Sequence, residues 1–338
     1  MTDGMTDYQH FGVIGAGAWG TALAQALAVA GRRVTLWARE DEVALAVNES
    51  RENATYLPSV KLHEAITATT DLTAMKACDA WLLVTPVQHS RAICAKLAEI
   101  GAAPSIPVLL CCKGIETASL SFPSDFARET LPSHPVGVLS GPSFAIEVAR
   151  GQPTALTLAC ADEALAMALC QSISSPAFRP YASTDVLGAQ IGGAIKNVMA
   201  VATGIAAGCG MGENASAALI TRGLAEMMRL GLALGAQRET LMGLSGLGDL
   251  VLTCSSTQSR NMSLGVALGQ GRKLADILGE RKSVAEGVPT TAAAARLAAQ
   301  KGVDMPIVGA VDAILNQGAN VRDVIAALLG RPLKAEGE

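Results

Sequence analysis

Apolar positions in the first half of the chain come in short blocks. Residues 11–17 (FGVIGAG), 33–39 (RVTLWAR), 80–86 (AWLLVTP), 107–113 (PVLLCCK), 136–141 (VGVLSG) and 154–160 (TALTLAC) are apolar-rich runs of strand length. Such runs predict strands buried on both faces. Segments 89–100, 123–130 and 163–173 lie between them with helical character. Strand and helix in alternation predict a doubly wound parallel sheet covered on both faces, with ligands outside the C-terminal strand ends.

After residues 178–184 the alternation stops. The pattern divides the chain into an α/β unit over 1–185 and an all-α unit over 186–338, which pack across a cleft. Predicted helices lie at 186–211, 214–234, 260–269, 290–300 and 321–329, with Gly235, Gly271 and Gly302 as stops and Pro289 and Pro306 as starts. The first of these, VLGAQIGGAIKNVMAVATGIAAGCGM, contains one charged side chain, Lys196. A helix so apolar is buried on most sides, and Gly188, Gly192, Gly193, Gly204 and Gly208 allow other backbones to approach. A lysine there loses hydration unless it meets a counter-charge or a ligand, and burial lowers its pKa toward the range of proton exchange. A structural ion pair or a snorkelling side chain accounts for Lys196 equally well on this stretch alone.

Composition narrows the function classes. The net charge of −4 leaves no basic footprint for nucleic acid. The eight cysteines include no C-x-x-C, so metal-site spacing is absent and reduced thiols of a cytoplasmic protein are expected. The polar start, MTDGMTDYQH, does not read as a signal peptide. Only residues 186–211 are long and apolar enough to span a membrane, and Lys196 with five glycines argues against it.

Between the first two predicted strands stands Gly15-Ala16-Gly17-Ala18-Trp19-Gly20, a G-x-G-x-x-G pattern. In the order strand, glycine turn, helix, strand it predicts dinucleotide binding: one glycine for the tight turn, one for approach of a pyrophosphate, one for helix–strand packing. At the end of the second strand Arg39 stands beside Glu40 and Asp41. An arginine there suits a 2′-phosphate and an acid suits a ribose, so NADP and NAD are both expected to bind. Lys113 and the Gly141-Pro142-Ser143 turn end later strands, where an anionic substrate is held. In the helical half, Ser245 to Asp249 (SGLGD) brings an aspartate into a tight turn, followed by Thr253 and by Ser259-Arg260-Asn261 at a helix start. The arginine fork suits phosphate oxygens. Helix capping is the structural alternative for Asp249 and Ser259.

With these pieces together the chain resembles the bacterial NAD(P)-dependent sn-glycerol-3-phosphate dehydrogenases over nearly its whole length. The resemblance rests on GAGAWGTALA, CCKGIE, GPSFAIEVARG, GGAIKNVMAVATGIAAG, GLGDLVLTC, SRN and VAEGVPT, all more specific than the glycine fingerprint except the first. It implies an N-terminal Rossmann-type domain and a helical C-terminal domain similar to that of 6-phosphogluconate dehydrogenase. It also implies reversible hydride transfer between NAD(P)H and dihydroxyacetone phosphate for glycerophospholipid synthesis. Carried onto matching positions, Lys196 is the proton donor or acceptor, with Lys113, Asn197, Asp249 and Thr253 around the reacting centre. Lys113, Asp249, Ser259, Arg260 and Asn261 hold the substrate with Gly141 and Ser143. Gly15, Gly17, Ala18, Trp19, Gly20, Arg39, Lys113, Ala145, Arg260, Val284 and Glu286 contact the dinucleotide. Ala18 replaces a hydroxyl residue found in some members.

Two readings compete. A related two-domain dehydrogenase of a β-hydroxy acid or sugar-acid phosphate shares the lysine helix, and a non-catalytic dinucleotide sensor keeps the fingerprint without needing a buried lysine. The apolar helices make a homodimer the expected assembly.

Overall fold

The computed structural model describes residues 7–280, 285–333 and 335. The first half runs β1 (His10–Ile14), α1 (Ala18–Val29), β2 (Arg33–Trp37), α2 (Asp41–Ser50), β3 (Ile66–Thr69), a 3₁₀ turn (Leu72–Ala77), β4 (Ala80–Leu83), α3 (Val87–Glu99), β5 (Val108–Leu110), α4 (Pro123–Thr130), β6 (Val136–Ser140), α5 (Ala145–Ala149), β7 (Thr154–Cys160), α6 (Glu163–Ile173) and β8 (Phe178–Ser183). The second half runs α7 (Val186–Gly208), α8 (Gly212–Leu234), α9 (Arg238–Met242), a π-helical turn (Leu244–Gly248), α10 (Asp249–Cys254), α11 (Arg260–Gly269), α12 (Leu274–Gly279), α13 (Gly287–Lys301), α14 (Pro306–Asn316) and α15 (Val321–Leu329).

The eight strands form one sheet in the order β3-β2-β1-β4-β5-β6-β7-β8. Its strands are buried because both faces are covered. Phe11, Val13, Leu36, Leu82 and Leu109 point into one apolar core and Ile14, Trp81, Leu83, Val108 and Leu110 into another. Adjacent positions in a strand face opposite sides, so continuous apolar runs replace alternation. The chain reverses direction of travel across the sheet between β1 and β4, and a doubly wound sheet binds its ligand at that switch point.

Two strands depart from the sequence expectation of a parallel sheet. β7 runs antiparallel to β6, while β8 returns parallel to β7. The β6–β7 connection contains only the five-residue α5, which folds onto α1. A parallel return needs a full crossover helix, so the chain comes back the other way. A run such as TALTLAC carries no mark of strand direction.

Helix α7 is the axis of the helical half. All but three of its residues are buried, and α8, α10, α11 and α13 wrap it. It is the one helix among the described residues that is long and apolar enough to cross a membrane, but its apolar surface faces protein. The close crossing of α7 and α11 depends on two glycine pairs. A Cβ on Gly204 or Gly208 would stand 2.2 or 2.3 Å from the carbonyl oxygens of Met262 and Val266. Gly265 and Gly269 meet the Val201 and Ile205 carbonyls in the same way. Helix interiors lose stability through glycine, and here backbone contact recovers it. The crossing sets the N-terminus of α11, with Arg260 and Asn261, beside the middle of α7.

Candidate active site

Lys196 lies midway along α7 and is 8% exposed. Its Nζ donates to Asp249 Oδ1 at 2.6 Å and to Thr253 Oγ1 at 3.0 Å. Asp249 is wholly buried, and its other oxygen, Oδ2, accepts from Lys113 Nζ at 2.6 Å. Lys113 Nζ also donates to the Gly141 carbonyl at 3.0 Å. The centre is therefore a Lys–Asp–Lys chain in which one carboxylate serves two ammonium groups.

Local sequence builds this centre. A Cβ at Gly192 would stand 2.1 Å from the Ser245 carbonyl, so glycine lets the π-helical turn lie directly on α7. That turn delivers Asp249 as the first residue of α10, facing Lys196 one turn further along α7. Thr253 follows Asp249 by four residues, the spacing that puts both on one helix face, and its hydroxyl bonds to Asp249 Oδ1 at 3.2 Å. Across the sheet, Gly193 leaves room for the Lys113 stem, whose Cγ would lie 3.2 Å from an added Cβ.

Burial pulls the Lys196 ammonium down from the ordinary lysine range to about 8. Asp249 opposes that shift and Lys113 reinforces it. The lysine is thus held near the pH at which it can give or take a proton. Removing the shared carboxylate would leave two buried ammonium groups without a counter-charge, and breaking such a buried pair costs about 3–5 kcal/mol.

Around this centre, the Asn197 side chain donates to the Lys113 carbonyl at 3.4 Å and accepts from Asn261 Nδ2 at 2.9 Å. Asn261 Oδ1 accepts from Gly287 N at 3.0 Å. Ser259 caps α11 by accepting from Met262 N at 3.2 Å, the structural role weighed for it from sequence. Arg260 is exposed at the start of α11. Ser143 Oγ donates to the Gly141 carbonyl at 3.1 Å, which ties the turn after β6 to the atom that holds Lys113.

The glycine turn between β1 and α1 has the form its sequence predicts. Gly15 has φ of +120°, and a Cβ at Gly20 would fall 1.8 Å from the Gly15 carbonyl oxygen. At Gly17, the N-cap of α1, an added Cβ would meet nothing within 4 Å. Ala18 and Trp19 begin α1, and the Trp19 indole N–H is buried without a hydrogen-bond partner. A turn that tolerates no side chain at Gly20, is open at Gly17, and adds an orphaned donor fits a dinucleotide pyrophosphate at the helix start. Arg39 projects from the end of β2 with its side chain 80% exposed, paired with Glu40 at 2.6 Å. Ala145 opens α5 beside α1. Glu286 accepts from Val87 N at the start of α3 at 3.2 Å, and burial raises its carboxyl. It lines a cavity of about 70 Å³ with Pro86, Gln88, His89 and Thr290. Val284 lies outside the described residues.

Sequence reading missed several supports. Asn53 is buried and donates to the Ala16 carbonyl at 2.9 Å and Thr21 Oγ1 at 2.8 Å, bracing the glycine turn. Its partner lies 37 positions away, beyond any local pattern. Glu116, inside CCKGIE, pairs with Arg91 on α3 at 2.9 Å. The motif named the acid but not its partner.

The chain is similar to known proteins over nearly its whole length. The family model described as NAD-dependent glycerol-3-phosphate dehydrogenase N-terminus matches residues 10–166, and the one described as the C-terminus of the same family matches residues 185–326. The glycerol-3-phosphate dehydrogenase [NAD(P)+] of Maricaulis maris is 56% identical over 332 residues, covering 98% of this chain and 99% of that protein. The protein of the same description from Parvibaculum lavamentivorans is 54% identical over 329 residues, covering 97% and 98%. The crystal structure of glycerol-3-phosphate dehydrogenase from Coxiella burnetii superposes with a TM-score of 0.91 at 35% identity, covering 96% of this chain and 99% of that one. The chain belongs to the NAD-dependent glycerol-3-phosphate dehydrogenase family.

Proposed function

We propose that this chain catalyses reversible hydride transfer between NAD(P)H and dihydroxyacetone phosphate, giving sn-glycerol 3-phosphate for glycerophospholipid synthesis. The carrying observation is the Lys196–Asp249–Lys113 centre, at the junction of a Rossmann-type sheet and a helical bundle, in a chain of this family. When bound, the nicotinamide donates or accepts the hydride. Everything else falls to side chains. As the carbonyl carbon gains hydride, negative charge grows on its oxygen. The Lys196 ammonium stabilises that charge and transfers an N–H proton to it, closing the new O–H bond. In the reverse direction neutral Lys196 takes the hydroxyl proton as the C–H hydride departs. Asp249 keeps the lysine oriented, and Lys113 supplies a second positive charge beside the same oxygen.

Arg260 and the first N–H groups of α11 hold the substrate phosphate, with the Ser259 hydroxyl still able to donate. Asn261 and Asn197 serve this reading through position, since their amides bond to each other. The glycine turn with Trp19 takes the pyrophosphate, and Arg39 faces the adenosine side, where a 2′-phosphate distinguishes NADP from NAD. Division into units at residues 185 and 186, a cytoplasmic setting and a homodimer complete the reading.

The test follows NADPH absorbance with dihydroxyacetone phosphate as the sole added substrate. Turnover is the expected result. Tight NADPH binding without turnover points instead to the sensor, and turnover only with a β-hydroxy acid or sugar-acid phosphate to the related dehydrogenase.

A further inference from the structure

We propose that Gln88 and Arg91, on the first turns of α3, are positioning residues for Lys113: they clamp the segment after β5 so that the lysine stays on the Asp249 carboxylate. The proposal rests on the reading of Lys113 and Lys196 given above.

Lys113 needs such help. β5 ends at Leu110 and α4 begins at Pro123, so Lys113 sits in a connection without regular secondary structure. Holding one backbone residue in a single conformation opposes about 1–2 kcal/mol of entropy. A long side chain on a free loop would not keep a bond to a wholly buried carboxylate. α3 supplies the missing constraint. Gln88 Nε2 donates to the Ile115 carbonyl at 2.9 Å, and its Oε1 accepts from Thr117 N at 3.0 Å and Thr117 Oγ1 at 2.9 Å. Three residues later, Arg91 Nε donates to both oxygens of Glu116 at 3.0 Å and its Nη2 to Oε2 at 2.9 Å. Glu116 is 8% exposed, and the Arg91 guanidinium holds its carboxyl below the usual range, with Ser119 assisting. The guanidinium also lies 5.4 Å from the Phe126 ring centroid and pairs with Glu129. Gln88 and Arg91 thus grip Ile115, Glu116 and Thr117 in succession.

The grip is anchored at both ends. Ile115 is fully buried in the core of the helical half, and Gly114 packs under Thr290 of α13, whose Oγ1 would be 2.7 Å from an added Cβ. The first N–H of α3 is bonded to Glu286. Neither Gln88 nor Arg91 has a bond to Lys196, Asp249 or Lys113 itself, so any effect on the centre must pass through the loop.

A loosened loop has a chemical signature. Lys113 and Lys196 share Asp249; Glu286 and Cys254 are the other titratable groups coupled to this centre, and Arg260 acts on Glu286. If the Lys113 ammonium drifts away, repulsion on Lys196 falls and the carboxylate turns wholly to it. Lys196 then keeps its proton to higher pH. A role confined to stability would leave that titration where it is.

The experiment compares wild type, Arg91→Met, Arg91→Lys, Gln88→Met and Lys113→Ala. It reads kcat/KM for dihydroxyacetone phosphate against pH, and KM for NADPH, below the melting temperature of each variant. In Arg91→Met and in Gln88→Met, kcat/KM is expected to fall by about tenfold while KM for NADPH stays within about twofold, as loss of a placed contact predicts. The alkaline midpoint is expected to move up by roughly half a pH unit or more. Arg91→Lys, which keeps one charged contact with Glu116, restores part of both effects. An unmoved midpoint and unchanged kcat/KM in both Met variants overturn the proposal, as does a Lys variant no better than Met. The Gln88 variant decides if Arg91→Met does not fold. Wild-type turnover in Lys113→Ala would instead sink the underlying reading.

Discussion

The two sides of the cleft are built on opposite terms. On the helical side, the proton-handling groups are complete within the protein: Lys196, Asp249 and Thr253, joined by Lys113 reaching in from the loop after β5, satisfy one another in a buried chain. On the sheet side, the glycine turn has clearance at Gly17 and a buried Trp19 N–H without a partner. Charge in the first region is fixed by helix packing before any substrate arrives. The second region asks only that side chains be absent where a pyrophosphate approaches the backbone. Substitutions should therefore act on chemistry in one region and on cofactor affinity in the other.

The sharpest test of that split is Lys196→Ala. Its turnover should drop about 10²–10⁴-fold, as for loss of a general acid, while NADPH binding measured by fluorescence titration stays near wild type. Near-normal turnover would refute the role. Gly17→Ala should do the converse, raising KM for NADPH about tenfold or more with kcat largely kept at saturating cofactor, because the new methyl group occupies the approach to the backbone. A fall in kcat without a change in KM would erase the distinction between the regions. Gly204→Ala probes the packing beneath the first region. Its Cβ would press on the Met262 carbonyl, and overpacking should cost about 1–3 kcal/mol, read as a lower denaturant midpoint. An unchanged midpoint would mean that α7 and α11 separate freely. Arg39→Ala gives the smallest effect, a loss for NADPH greater than for NADH in competitive binding. Equal losses would remove Arg39 from the 2′-phosphate.

Much of this comparison was legible in the sequence because each region rests on a local pattern. The glycine turn is one hexapeptide, and the lone charge in an apolar helix marked Lys196. The placement of most strands and helices followed from apolar run length and period, but α2 and β3 were not foreseen, and β1 stops at Ile14 and β5 at Leu110, short of the apolar runs. What escaped was pairing at long range. The resemblance set Asp249 against Lys196, 53 positions away, but not that Lys113, 136 positions away, shares the same carboxylate through a second close approach at Gly193. The hydrogen bond between the Asn197 and Asn261 side-chain amides escaped for the same reason. Strand direction at β7 was hidden because burial on both faces gives the same composition either way.

The central claim is that Lys196, poised by Asp249, is the proton source. It is tested most directly by kcat/KM for dihydroxyacetone phosphate reduction as a function of pH, in wild type and in Asp249→Asn. Reduction needs the protonated lysine, so the account predicts a plateau at low pH that falls through a midpoint near 8. Removing the carboxylate's charge should move the midpoint to lower pH. A wild-type profile that stays flat through that region, or a midpoint indifferent to Asp249→Asn, would contradict it.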